Sequence, residues 1–267
     1  QGILWKSMLH EGLSQQEESL IRILLLDIET APNLAFVWGL FKQNVAINQI
    51  EESSYILCWA AKWLGEKSVQ TGTLWRDGHD KMLKAAHKLL DSADVVVHYN
   101  GRKFDIPTLN KEFLKARLGP PAPYKQVDLY RECKATLRFE SNKLDFVAQQ
   151  LKVGAKVRHE GFSLWVGCMR GDKGAQQRME RYNRGDVTLL EPLYLLLRPW
   201  IRNHPNHSGL EGVECCPKCG SRTYQSRGEV LTQTSRYQRY ACKGCGGWFR
   251  GSKSVSKGPR MSNIAGG

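Results

Sequence analysis

Residues 21–28 are a branched apolar run broken only by Arg22 and Asp27, with Glu29 following it. A run of this kind reads as a buried central strand, ended by Ala31-Pro32-Asn33. Asp27 and Glu29 stand two apart, so on a strand both carboxylates leave the same face and can reach one cation together. The same pair would also fit a strand end emerging into water, and other residues must decide between the two.

The flanking pattern builds a sheet and its helices. Residues 55–64 and 67–75 are rich in aromatic and branched side chains around Gly65-Glu66, which predicts a hairpin. Residues 80–90 place Met82, Leu83, Ala86, Leu89 and Leu90 at helical spacing, and 94–98 form a short strand. Residues 106–118 read as a helix stopped by Gly119-Pro120-Pro121, and 126–130 as a further strand. Ser141 is expected to cap a helix with Leu144, Val147 and Leu151 on its apolar face. The last helical region, 174–200, is expected to bend or break near Gly185 and Pro192. The fold class is mixed α/β.

Two more acidic positions fall where a site would need them. Asp105 closes the segment Asn100-Gly101-Arg102-Lys103-Phe104-Asp105, at the carboxyl end of the strand 94–98 or in the next helix's first turn, where ligand sites gather in α/β sheets. An aspartate there is also an ordinary helix cap. Tyr182 and Asp186 are four apart, hence on one helix face. Oxygen donors without neighbouring His or Cys favour Mg2+ or Mn2+ over zinc.

Taken together, Asp27-Ile28-Glu29, the segment from Asn100 to Asp105, and Tyr182-x-x-x-Asp186 resemble the three motifs of the DEDD exonucleases, in order and spacing, over residues 21–200. The tyrosine, where a sister branch has histidine one position closer to the aspartate, makes the chain similar to the DEDDy branch that includes proofreading domains of family B polymerases. Lys143-Leu144-Asp145-Phe146-Val147 with Leu151 resembles the helix beside the second motif, and Asp145 and Asp128 are read as structural or rim carboxylates.

The resemblance implies a ribonuclease H-like mixed sheet flanked by helices and two Mg2+ or Mn2+ ions. Asp27 would bridge the ions, Glu29 and Asp186 would complete the first ion's shell, and Asp105 would serve the second. Tyr182 would orient the attacking water, its phenol being better suited to hydrogen bonding than to accepting a proton. Asn100 would contact the terminal nucleotide. The implied reaction removes nucleotides from the 3' end of a single strand, DNA before RNA. A structure-specific endonuclease and a catalytically silent nucleic-acid-binding protein are the competing readings. Similarity to freestanding bacteriophage exonucleases carries an expectation of that source, and replication or repair proteins are the expected kind of protein partner.

A second module follows. Residues 201–212, polar and rich in His, Asn, Pro and Gly, read as a linker between an exonuclease domain over 21–200 and a module over 213–250. Cys216-Pro217-Lys218-Cys219-Gly220 and Cys242-Lys243-Gly244-Cys245-Gly246 are two C-x-x-C-G knuckles. Their four thiolates close a tetrahedron around one structural Zn2+ and leave no open catalytic position. Cys215 adjoins the first knuckle, but its spacing to Cys219 fits less well, so Cys216 is the expected ligand. The module resembles a small β zinc ribbon. Arg236, Arg239, Trp248 and Arg250, interleaved with Tyr237, Tyr240 and Phe249, combine cations with aromatic faces and are expected to contact nucleic acid. Some of these aromatics must instead form the small core. Residues 251–267 read as a basic, disordered tail and residues 1–20 as an N-terminal extension.

Charge points to the same partner. The net charge is +13 and the pI about 9.4, and residues 201–267 hold eleven Lys or Arg against three Glu. Such a surface attracts polyanions. No run reaches the roughly 18 apolar residues needed to span a bilayer, and no secretory leader pattern is present. Cys58, Cys133 and Cys168 stand alone while the others crowd at metal-site spacing, so a reducing compartment is expected, the cytoplasm, or the host's cytoplasm for a bacteriophage protein.

Overall fold

The central apolar run forms β1 (Ile23–Thr30), the middle strand of a five-stranded sheet in the computed structural model, which describes residues 21–256. The expected extension over residues 1–20 and the end of the expected tail, 257–267, lie outside the described residues. The described chain divides into one unit, Arg22–Tyr194, and a second that begins at Leu195.

In the first unit the chain leaves β1 through the short pair β2 (Leu34–Ala35) and β3 (Ile50–Glu52), then enters β4 (Ile56–Trp63) and β5 (Gln70–Thr73). Helices α1 (Leu74–Asp77) and α2 (His79–Asp91) lead to β6 (Val95–His98), and α3 (Asp105–Lys115) to β7 (Lys125–Asp128). Four helices close the unit: α4 (Leu129–Thr136), α5 (Leu144–Gln150), α6 (Ser163–Met169) and α7 (Lys173–Leu197). The sheet order is β5-β4-β1-β6-β7. β1 pairs antiparallel with β4 and parallel with β6, so the sheet is mixed.

Alternation along β1 sets up two layers. Leu24, Leu26 and Ile28 turn to one face and pack with Met82, Leu83, Leu109 and Phe113 of α2 and α3. On the other face Leu57 and Cys58 of β4 pack with Leu164, Met179 and Tyr182 of α6 and α7. Burying both sheet faces is what the continuous apolar run requires. Period-two alternation directs Asp27 and Glu29 to the α7 side.

Several boundaries differ from the sequence reading, each for a local reason. The second hairpin strand stops at Thr73, whose side chain accepts from Arg76 N and starts α1, so Trp75 is helical. The strand expected over 126–130 stops at Asp128, which caps the unpredicted α4 by accepting from Arg131 N. Ser141 does not cap α5: its hydroxyl accepts from Lys143 N, and the cap residue Lys143 makes no side-chain cap bond. α6 has no counterpart in the sequence reading. α7 runs unbroken through Gly185 and Pro192. The complete burial of Leu190, Leu193 and Tyr194 outweighs the single hydrogen bond that Pro192 removes.

In the second unit the expected linker contains a helix, α8 (His207–Glu211), capped by Asn206, whose side chain accepts from Gly209 N at 3.1 Å. A three-stranded antiparallel sheet follows, β8 (Tyr224–Leu231), β9 (Arg236–Cys242) and β10 (Trp248–Ser254), in the order β10-β9-β8. β10 continues past Gly251, so residues 251–254 are strand rather than disordered tail. No helix among the described residues is long and apolar enough to cross a membrane.

Candidate active site and metal centres

The β1–β6 pairing ends at Leu25↔Val97, and beyond it β1 carries Asp27 and Glu29 out past its neighbour. On α7, Asp186 lies one turn from Tyr182 and turns back toward the same strand. Asp27, Glu29 and Asp186 each offer a carboxylate oxygen, all within 4.8 Å of one another. Asp186 is 2% exposed, and its Oδ1 is buried with no hydrogen-bond partner. A buried, unpaired carboxylate oxygen is unfavourable unless a cation or proton meets it. This donor set fits a hard divalent cation.

The electrostatics agree. Burial, the neighbouring carboxylates and, against them, the Lys156 cation act on Glu29, whose carboxyl is pushed from 4.5 to about 8. Asp27 and Asp186 are raised by the same burial. Like charges this close cannot all ionise without a counter-cation.

Asp105 is not part of this cluster. At the start of α3, its Oδ1 accepts from Ile28 N at 3.0 Å, the β1 amide beyond the end of the β6 pairing. Its carboxyl is nonetheless raised to about 7, chiefly by burial, and its charge acts on Asp27. The loop before it is held by Asp128, which accepts from Asn100 N at 3.0 Å and Arg102 N at 3.3 Å. Asn100 takes a left-handed conformation there, φ 66°. Asp128 is thus the structural carboxylate expected. Asp145 is too, accepting from Lys156 N at 2.8 Å and Gln149 Nε2 at 2.7 Å.

Three side chains at the site escaped the sequence reading. Lys156 Nζ lies 2.6 Å from Asp186 Oδ2 and 4.7 Å from the Tyr182 ring centroid. Its loop can lie this close because position 185 is glycine: a Cβ there would meet Val157 Cγ2 at 2.7 Å. Asn183 Nδ2 donates to Asp27 Oδ2 at 2.7 Å. Trp165 neighbours Glu29, favouring its ionised form, and sits edge-on to Tyr182, their ring centroids 6.1 Å apart. Asn183 shares a helix face with Asp186 and was open to detection by spacing; the other two lie on segments with no such signal.

In the second unit Cys216, Cys219, Cys242 and Cys245 converge within the same 4.8 Å limit, and Cys215 is outside the group. The Sγ atoms of Cys216 and Cys245 are 3.8 Å apart, those of Cys219 and Cys242 3.6 Å. A tetrahedron with Zn–S of about 2.3 Å has edges of about 3.8 Å. The knuckles are built alike. Gly220 N donates to Cys216 O and Gly246 N to Cys242 O, both glycines at φ 75°.

Strand register sorts the aromatic and cationic residues by face. Tyr224, Tyr240 and Phe249 pack together on one face with centroids 5.2–5.3 Å apart. Tyr237, Arg239, Trp248 and Arg250 share the other, with Arg250 3.8 Å over Tyr237 and Arg239 5.1 Å over Trp248. Arg236 does not join them, falling on the Tyr240 face with Glu229 at 3.8 Å.

Residues 24–198 match a family described as the RNase H superfamily. Among solved structures, the family B DNA polymerase from the hyperthermophilic archaeon Pyrobaculum calidifontis is similar over 67% of this chain, with a TM-score of 0.52 and 18% identity. The matched region is 25% of that polymerase, and the likeness is one of fold. No curated protein matches the chain.

Proposed function

This chain belongs to the RNase H superfamily over residues 24–198, and we propose that it is a DEDDy-type exonuclease that shortens single-stranded nucleic acid from its 3' end, DNA before RNA. The observation that carries the proposal is the convergence of Asp27, Glu29 and Asp186 within 4.8 Å, with Tyr182 one helical turn from Asp186. Asp27, Glu29 and Asp186 would hold Mg2+ or Mn2+, with Asp105 serving through water. Bound divalent ions supply an activated water and relieve the charge that grows on the leaving oxygen.

The chain's own groups do the rest. Asn183 fixes the Asp27 rotamer, and Trp165 beside Glu29 favours the ionised form of that carboxylate. The Tyr182 phenol, pushed up by burial and by Asp186, stays protonated and positions the attacking water by a hydrogen bond rather than taking its proton. Lys156, held protonated beside Asp186, places a cation where phosphate charge accumulates. The second unit would be a zinc ribbon whose metal holds the two knuckles together.

With 5'-labelled linear DNA and RNA and Mg2+ or Mn2+, wild type is expected to give a shortening ladder and Asp27→Ala none. Absence of cleavage by wild type, or full activity in Asp27→Ala, would overturn the proposal. Cleavage of a circular single strand would move the reading to an endonuclease.

A further inference from the structure

Between β2 and β3 the first unit carries an apolar excursion that its core does not use. Phe36 is 70% exposed, Trp38 97%, Leu40 88%, Phe41 85% and Ile47 89%. The base of the excursion is built: Phe36 N donates to Gln49 O at 2.9 Å, Gln49 Nε2 donates to Phe36 O at 2.9 Å, and Ala46 N donates to Gln49 Oε1 at 2.8 Å. Holding contiguous large apolar side chains in water is unfavourable and marks a contact surface. From Ala31 to Ile50 the chain has no carboxylate, and Lys42 is its one charged residue.

The position of this loop says what it meets. Its neck is closed by Ser54 N donating to Asn33 Oδ1 at 2.6 Å. Asn33 and Ser54 are also one wall of a cleft of about 470 Å³, faced by His159, Phe162 and Trp165. Trp165 also neighbours Glu29. Thr30 and Ala31, which follow Glu29 at the end of β1, line the same cleft, so it extends from the end of that strand to the root of the loop. Trp38 follows Asn33 by five residues, which places it within about 18 Å of the cleft wall.

Resting on the exonuclease reading, we infer that Trp38 and Phe41, with Phe36 nearer the cleft, are a stacking surface for the unpaired bases of a single strand whose end lies at the carboxylates. Flat aromatic faces accept any base, and a loop free of carboxylates does not repel the phosphates. Bases already paired in a duplex offer no free face, so the loop also selects single strands.

The test uses the full chain and the double variant Trp38→Ser/Phe41→Ser, both positions being solvent-exposed. Two substrates are compared, the 4-nitrophenyl ester of thymidine 5'-phosphate, which has a single base and no strand to reach the loop, and a single strand of about sixteen nucleotides. Strand affinity is measured separately in EDTA. The ratio of kcat/KM, strand over ester, is expected to fall about tenfold or more in the variant, and Kd for the strand to rise to match. An unchanged ratio and Kd would overturn the inference. So would an unchanged ratio with a shift in elution from dimer to monomer, which would make the loop a contact between copies. If wild type cleaves neither substrate the exonuclease reading fails, and the stacking surface then stands or falls on Kd in EDTA alone.

Discussion

Lys156 Nζ lies 2.6 Å from Asp186 Oδ2 at the edge of a group of carboxylates whose charges no other described lysine or arginine offsets as strongly. Glu29 at about 8 and Asp105 at about 7 hold protons that the unfolded chain has already lost at neutral pH. A raised folded-state pKa in an acid means the folded form binds more protons, so stability falls as pH rises from about 4.5 to about 8. The metal-free protein is expected to lose about 4 °C or more in Tm across this window. Lys156→Met deepens the loss, and added Mn2+ reverses it in wild type by replacing protons with a cation. Thermal melts in EDTA at pH 5 and pH 8, with and without Mn2+, check this. A Tm that rises with pH in the metal-free protein would count against the carboxylate cluster.

How much of this was legible in the sequence follows the range of each signal. Asp27 and Glu29 could be read because a strand's period is two, and Tyr182 with Asp186 because a helix turn is close to four; both are local geometry. The mixed sheet followed from the same periodicities, together with a hairpin around Gly65. Lys156 could not be read, because its loop has no period and reaches Asp186 only through the space that Gly185 leaves for Val157. Asp105 was placed correctly in its turn, but its bond to Ile28 N depends on where the β6 pairing stops, a tertiary fact. α4 and α8 were missed because Asp128 and Asn206 act as helix caps in stretches whose composition suggested a strand end and a linker.

Cys215 and Cys216 adjoin in sequence and differ in destination. Cys216 Sγ is 3.8 Å from Cys245 Sγ, while Cys215 is buried away from the four-thiolate group. A structural zinc contributes on the order of 10 kcal/mol to a module of this size. Cys216→Ser is therefore expected to lose bound zinc and open the second unit to proteolysis, and Cys215→Ser to retain both zinc and resistance. Zinc per chain, released into a chelating dye, and limited trypsin digestion give the answer. Equal zinc in the two variants would show that the four-thiolate assignment is wrong.

The face of the β8–β10 sheet that carries Tyr237, Arg239, Trp248 and Arg250 makes a prediction that turns on strand register. Trp248 is 54% exposed although Arg239 lies over it, so its other surface is open to a base, and both arginines are exposed on this face, Arg239 steadied by donating through Nε and Nη2 to Arg227 O. Arg236, four residues from Tyr240 in the same strand, projects to the opposite face beside Glu229, where its charge is already met. If the second unit grips single strands through this face, each arginine that meets a phosphate adds about 0.7 to the slope of log Kd against log salt. Arg239→Ala/Arg250→Ala is then expected to lower that slope by about 1.4 and to weaken binding to an uncleaved strand in EDTA. Arg236→Ala is expected to do neither. Titrations by fluorescence anisotropy across a range of NaCl concentrations separate these outcomes. Should Arg236→Ala match the double variant, attraction would come from net charge alone, and the sorting of residues by sheet face would have no part in binding.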